Sequence, residues 1–249
     1  MSILTKFKGR RAYQAHIMGN QAIDKGEIER AKEQHNKALQ LYEEAYNEGC
    51  RESNILMAWS VLLMRFGNYE RAKDLLLSCE HARDLDNKSK KQLRIDYSIC
   101  QWRLGNLDKA IELMESAASS GKTSLIYTTL GFYYIEKARE TGDYTKAEEF
   151  NSEAMQYDEE DAGILDNMGQ LYYIKGETET AYEYFSKAYN QKPTQVSTLY
   201  YIALINKERG NKEKALAFIE RCVEGNFSAL CQFSRDDALA LKKQIEEMP

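Results

Sequence analysis

Residues 162–195 read AGILDNMGQLYYIKGETETAYEYFSKAYNQKPTQ. Leu165, Met168 and Tyr172 recur at intervals of three and four, which places them on one face of a helix with 3.6 residues per turn. Gly176 then interrupts the pattern, and Ala181, Phe185 and Ala188 resume it on a second helix that Pro193 ends. Gly169 sits inside the first helix, where glycine costs up to about 1 kcal/mol of helix propensity. Such a residue is tolerated there when a neighbouring helix must come close. The stretch is one helix–turn–helix unit with an apolar seam.

The unit recurs. A glycine followed five residues later by alanine occurs six times, at Gly26 and Ala31, Gly67 and Ala72, Gly105 and Ala110, Gly142 and Ala147, Gly176 and Ala181, and Gly210 and Ala215. The glycines are 41, 38, 37, 34 and 34 residues apart. Seven positions beyond each alanine stands another small residue, Ala38, Cys79, Ala117, Ala154, Ala188 or Cys222. Glu27, Asn68, Asn106, Asp143, Glu177 and Asn211 follow the glycines, and several of these are turn dipeptides. Gly19, Ser60, Ser98, Gly131 and Ala203 are the counterparts of Gly169.

This pattern resembles the tetratricopeptide repeat, a 34-residue helix–turn–helix unit with a large residue, Leu, Gly, Tyr, Ala, Phe, Ala and Pro at these spacings. The resemblance extends over residues 12–229 and implies an all-α fold, a right-handed α-solenoid of six units at 12–45, 53–86, 91–123, 124–161, 162–195 and 196–229. A basic leader at 1–11 precedes them, with Lys6, Lys8, Arg10 and Arg11 read as a solvated approach to the first helix. Residues 46–52 and 87–90 lengthen the period and read as polar loops. Gly131 lies 11 residues before Gly142, whereas Gly169 lies 7 before Gly176, so the helix from Ser124 should run about one turn longer than its counterparts. In 230–249, Ser234 before Asp236 and Asp237 is an N-cap with an acidic first turn. The amphipathic helix that follows, near Asp236 to Glu246, should cover the open end of the stack.

Composition agrees with a folded helical chain. Of 249 residues only 2 are Pro and 14 Gly, too little punctuation for a sandwich or barrel. The hydrophobic fraction of 43% is enough for a core, which argues against disorder. A net charge of −5 makes nucleic acid a poor partner. Neither a membrane span nor a secretory signal is expected. The five cysteines, Cys50, Cys79, Cys100, Cys222 and Cys231, have no CxxC spacing and fit a reducing compartment, so the expected location is cytoplasmic.

No catalytic constellation is apparent. His16, His35 and His81 form no HExxH pair, and neither a P-loop nor a GxGxxG or GxSxG motif is present. Asp158, Glu159, Glu160 and Asp161 read as acids favoured at a helix amino terminus rather than as a cation site. No metal or cofactor is expected, and no enzymatic activity.

The resemblance implies that the second, fifth, ninth, twelfth and thirteenth places of each unit line a concave groove. The fifth, ninth and twelfth places are His16, Asn20, Ile23; Met57, Val61, Met64; Ile95, Ile99, Trp102; Thr128, Phe132, Ile135; Asp166, Gln170, Tyr173; and Tyr200, Leu204, Lys207. Lysine is missing from every fifth place, which removes the set by which some members of the family clamp a chaperone's terminal carboxylate. Met57, Val61, Met64, Ile95, Ile99, Trp102, Phe132, Tyr173, Tyr200 and Leu204 are the candidate contacts for a protein or peptide segment with apolar anchors. The alternative is a groove or end covered by the chain itself or by a second copy, as in a homodimer. An enzyme accessory subunit is a further reading.

Overall fold

A computed structural model describes residues 3–249, apart from the side chains of Ile3, Leu4 and Lys6. Among the described residues there are thirteen α-helices and no strand. The chain divides into two compact units, the first ending at Ala117 and the second running Ala118–Pro249. The first holds α1 (Ile3–Asp24), α2 (Ile28–Asn47), α3 (Ser53–Arg65), α4 (Tyr69–Cys79), α5 (Asn87–Arg103) and α6 (Leu107–Ala118). The second holds α7 (Ser124–Thr141), α8 (Thr145–Tyr157), α9 (Ala162–Ile174), α10 (Thr178–Gln191), α11 (Val196–Glu208), α12 (Lys212–Glu224) and α13 (Arg235–Glu246).

The glycine and alanine series account for this architecture. Gly176 has φ +81°, and its five counterparts have φ between +73° and +82°, left-handed conformations that cost a residue with a Cβ appreciably more. Each therefore reverses the chain between a first and a second helix. The twelve small residues of the second helices, from Ala31 to Cys222, are at most 3% exposed. They let α2 pack on α1, α4 on α3, α8 on α7, α10 on α9 and α12 on α11. A Cβ on Gly169 would stand 2.6 Å from the ring of the fully buried Phe185. Gly19 meets the His35 ring in the same way, and Gly131 meets the Asn151 side chain. α7 has 18 residues against 13 for α9 and α11, the extra turn that the spacing of Gly131 and Gly142 requires.

At the C-terminal end, the Ser234 side chain accepts from the Asp237 amide and completes a capping box. Ala238, Leu241 and Ile245 of α13 are then buried with Val196, Ala215, Ile219 and Cys222. α13 covers the last pair as a terminal solenoid element should.

Three local expectations are corrected. The stretch 1–11 is not a leader from Ile3 onward, because α1 begins there and runs without a break. Thr5, Gly9 and Ala12 are buried, Gly9 closely against Cys50 and Ile55, and Lys8 pairs with Glu44 and Glu48 of α2 or its end. Met1, Ser2 and the Lys6 side chain lie outside the described residues. Residues 87–90 are the first turn of α5 rather than a loop, since Asp86 accepts from the Ser89 amide at 2.7 Å and caps that helix. Tyr46 and Asn47 likewise belong to α2, where Tyr46 packs on Trp59.

Candidate functional site

In the first unit, α3 packs against both α1 and α5, so their equivalent places form neighbouring rows. Met57, Met64 and Ile95 are buried, whereas Val61, Ile99 and Trp102 are half-buried. Val61 and Ile99 occupy the same place on adjacent helices and rest on the core that Leu56, Leu63 and Cys100 help to form. Trp102 lies three residues beyond Ile99 on α5, with the Arg103 guanidinium 5.4 Å from its ring centroid. The outcome is an apolar row whose inner members support partly exposed outer ones. Trp59 differs: it is 2% exposed and stacks on Tyr42 at 6.0 Å.

The corresponding places of α1 make a polar cluster instead. His16 faces the Tyr42 hydroxyl at 3.3 Å, and the Asn20 side-chain oxygen accepts from Arg65 at 2.6 Å and lies 3.1 Å from His35 Nε2. Burial lowers His16 to a pKa of about 4, helped by His35 and Arg65 nearby, and burial also lowers His35. These imidazoles are neutral at physiological pH.

In the second unit, α9 packs on both α7 and α11. Phe132 and Ile135 of α7 are buried, while Tyr173, Tyr200 and Leu204 are half-buried. Tyr173 donates its hydroxyl proton to Glu208 at 2.6 Å, and burial together with that bond raises its pKa. Tyr200 stacks on Phe233 with ring centroids 3.9 Å apart. Phe233 belongs to residues 226–233, the strap between α12 and α13, so here the chain covers Tyr200, one of the candidate contacts, itself. The sequence reading did not single out that strap.

Polar groups tie the strap down in a defined order. Asp166 is 4% exposed and accepts from the Thr198 hydroxyl at 2.5 Å and from the Gln170 amide nitrogen at 2.7 Å. Burial raises the pKa of this carboxyl. With its nitrogen committed, Gln170 presents its oxygen, which accepts from the Gln232 amide nitrogen at 3.1 Å. Gln232 also donates to the Tyr201 hydroxyl, and its oxygen accepts from Arg139 at 3.5 Å. Arg139 reaches the Tyr201 oxygen at 3.3 Å as well. Gln232 and Phe233 are functional candidates that periodicity could not reveal, because the strap lies outside the repeat, and their partners Arg139 of α7 and Tyr201 of α11 stand at places of the unit that were not read as lining the groove.

The acidic run ahead of α9 behaves as a cap. Asp161 accepts from the amides of Gly163 at 2.8 Å and Ile164 at 3.1 Å. Among the described residues no group of three or more His, Cys, Asp or Glu is arranged to hold a metal, and no helix is long and apolar enough to cross a membrane.

Comparison with known proteins places this arrangement. A tetratricopeptide repeat model matches residues 162–195, the stretch that carries the clearest unit. The photosystem I assembly protein Ycf3 of Prochlorococcus marinus (strain MIT 9211) is 34% identical over 114 residues, covering 42% of this chain and 64% of that protein. The match thus spans somewhat less than two thirds of that relative's length. Among solved structures, a tetratricopeptide repeat protein from Parabacteroides merdae ATCC 43184 superposes with a TM-score of 0.71 at 13% identity, over 96% of this chain and 100% of that one. A thermophilic TPR protein of Thermus thermophilus gives 0.60 at 16% identity, over 79% and 98%. The neighbours share the fold and the repeat model matches the sequence of one unit, so residues 162–195 are a tetratricopeptide repeat and the chain has the helical-repeat fold of proteins built from such units.

Proposed function

We propose that this chain is a non-catalytic scaffold that binds a protein or peptide segment, and that the row of Val61, Ile99 and Trp102 in the first unit is its contact surface. The observation that carries this reading is the partial exposure of these three side chains on adjacent first helices, above the buried Met57, Met64 and Ile95. An apolar row left partly open beside charged neighbours marks an interface more often than a resting surface. Trp102 is the natural anchor, since aromatic rings that become fully buried dominate binding energy. Phe132, Tyr173, Tyr200 and Leu204 supply the corresponding places of the second unit, where the strap over Tyr200 favours the self-covered alternative. An assembly role such as the Ycf3 name describes is compatible with a scaffold, with the identity of the assembled protein left to experiment.

The non-catalytic part rests on the state of the reactive groups. Burial pushes the thiols of Cys100 and Cys222 up to about 12, which leaves them protonated and poorly nucleophilic. The five free, buried cysteines support a reducing location, the cytoplasm.

The test is a capture experiment followed by titration. The purified chain is used to capture proteins from a lysate of the source organism, and the strongest interactor is purified and titrated against wild type, Trp102→Ala and, as a control at an exposed apolar residue of α4 outside the row, Leu77→Ala. Loss of affinity for Trp102→Ala alone supports the reading. Equal affinity for all three places the contact elsewhere. A solution mass that rises with concentration in the free protein would favour the homodimer.

A further inference from the structure

Residues 226–233 run against the first helices of the second unit, α7, α9 and α11. Between this strap and the first helices lies a cavity of about 950 Å³, with Thr128, Phe132, Asn167 and Gln195 among its lining residues. A strap that completed a core would leave little space beneath it, because protein interiors are close-packed. This one buries Cys231 and Phe233 in the core with Val196, Leu199 and Cys222, with Phe227 packed against it, and still borders that space through Ser228 and Leu230. Within the strap the Cys231 amide donates to the Ser228 carbonyl at 3.1 Å, and the Leu230 amide donates to the Ser228 hydroxyl at 3.3 Å. Gln232 and Phe233 make the side-chain ties to α7, α9 and α11 described above.

Those ties specify a ligand chemistry. Gln170 commits its amide nitrogen to Asp166 at 2.7 Å, which leaves its oxygen to accept and so asks for a donor. Arg139 can only donate, so it asks for an acceptor beside that donor. A carboxamide meets both demands at once. The Tyr200 ring beside it offers a face for one aromatic side chain. Thr198, Asp166 and Gln170 are bonded to one another and Tyr201 is stacked on Phe185, so the receiving half of the site is built by the helices.

We propose that this face is an exchange site: an extended polypeptide segment carrying a carboxamide side chain followed by an aromatic one displaces residues 226–233 and occupies their place. The strap is then a tethered competitor that keeps the site covered until such a segment arrives. A short tether gives it a local concentration of about a millimolar or more, so an outside segment binds weakly until the strap is loosened. This site is separate from the row around Trp102, and either can fail without the other.

The test uses a fluorescently labelled peptide of the strap's own sequence, residues 226–234 (NFSALCQFS), under reducing conditions. It is titrated against the full-length wild type and the full-length double variant Gln232→Ala, Phe233→Ala, with anisotropy as the readout. Saturable binding to the variant, at least tenfold tighter than to wild type, is expected. Adding Gln170→Ala to that variant should abolish it, as should alanine at the glutamine and final phenylalanine of the peptide. Equal binding to wild type and variant, or none to a variant with wild-type circular dichroism, overturns the proposal. Should the variant not fold, hydrogen exchange on wild type decides: millimolar peptide should speed exchange of the amides of 226–233 and slow those of α9 and α11. Unchanged exchange in the strap then overturns it.

Discussion

Gly169→Ala sets two well-characterised effects against each other. In an isolated helix the change stabilises by about 1 kcal/mol, because alanine loses less backbone entropy than glycine. In this fold the new methyl would stand 2.6 Å from Cδ1 and Cε1 of Phe185 and 2.9 Å from Cγ. Carbon atoms rest about 3.5 to 4.0 Å apart, so the ring would have to retreat by about 1 Å. Phe185 is 0% exposed and stacked on Tyr201 at 4.9 Å with the planes 8° apart, which leaves it nowhere to go. Overpacking of a tight core costs about 1 to 3 kcal/mol, and a rigid ring enclosed on both sides belongs at the upper end. Subtracting the helix gain leaves a net loss of about 2 kcal/mol, or about 4 to 8 °C in Tm for a chain of this size. Urea unfolding followed by far-ultraviolet circular dichroism measures it. Combining the change with Phe185→Leu should recover part of the loss, a positive coupling in a double-mutant cycle. A Gly169→Ala protein as stable as wild type, or more so, would refute the view that small residues are there for helix approach.

Other perturbations have equally definite outcomes. His16 is held at about 4 in the fold against an ordinary 6.5, so the unfolded chain takes up its proton first. It thereby removes about 3 kcal/mol of stability as the pH falls from 6.5 to 4. Asp96 is raised by burial to about 6 from 3.8, so the folded chain is protonated first and the sign is opposite, about 3 kcal/mol regained over nearly the same range. His16→Asn should therefore make the protein resist acid better than wild type, and Asp96→Asn should make it more acid-labile while stabilising it at pH 7. Identical pH slopes for all three proteins would contradict both assignments. With Trp59 buried and Trp102 half-exposed, Trp102→Phe should leave a blue-shifted emission shielded from acrylamide and Trp59→Phe a quenchable one; equal quenching would contradict the placement. Ending the chain after Cys231 should uncover Ile219 and Cys222 and lower solubility without unfolding α1 to α6, and a truncated chain as soluble as the full one would remove the capping role from α13.

The parts of the fold that were legible in the sequence are those in which one residue type has one physical task. A glycine that must take positive φ and an alanine that must lie between helices recur in phase, so Gly176 and Ala181 reveal a turn and a contact before any coordinates exist. Elements whose residues have several tasks were less legible. Asn87, Lys88, Ser89 and Lys90 are polar because the first turn of α5 faces solvent, and polarity alone resembles a loop until the Asp86 cap is recognised. Gly9 and Arg10 looked like part of a solvated approach, yet α1 runs through them, with Gly9 fitted closely against Cys50 and Ile55 and Ala12 buried in the same core. The candidate groove was legible as a set of places, but not its cover. The strap over Tyr200 has no period, so the repeat pattern carried no sign of it.

The central claim is that the Trp102 row binds a protein. The most direct measurement is the dissociation constant of the purified interactor for wild type and for Trp102→Ala, with unfolding curves to confirm that both are folded. A central aromatic anchor predicts a loss of about 2 kcal/mol, roughly thirtyfold in Kd, on removal of the ring. A Kd unchanged within twofold, in a Trp102→Ala protein as stable as wild type, would contradict it.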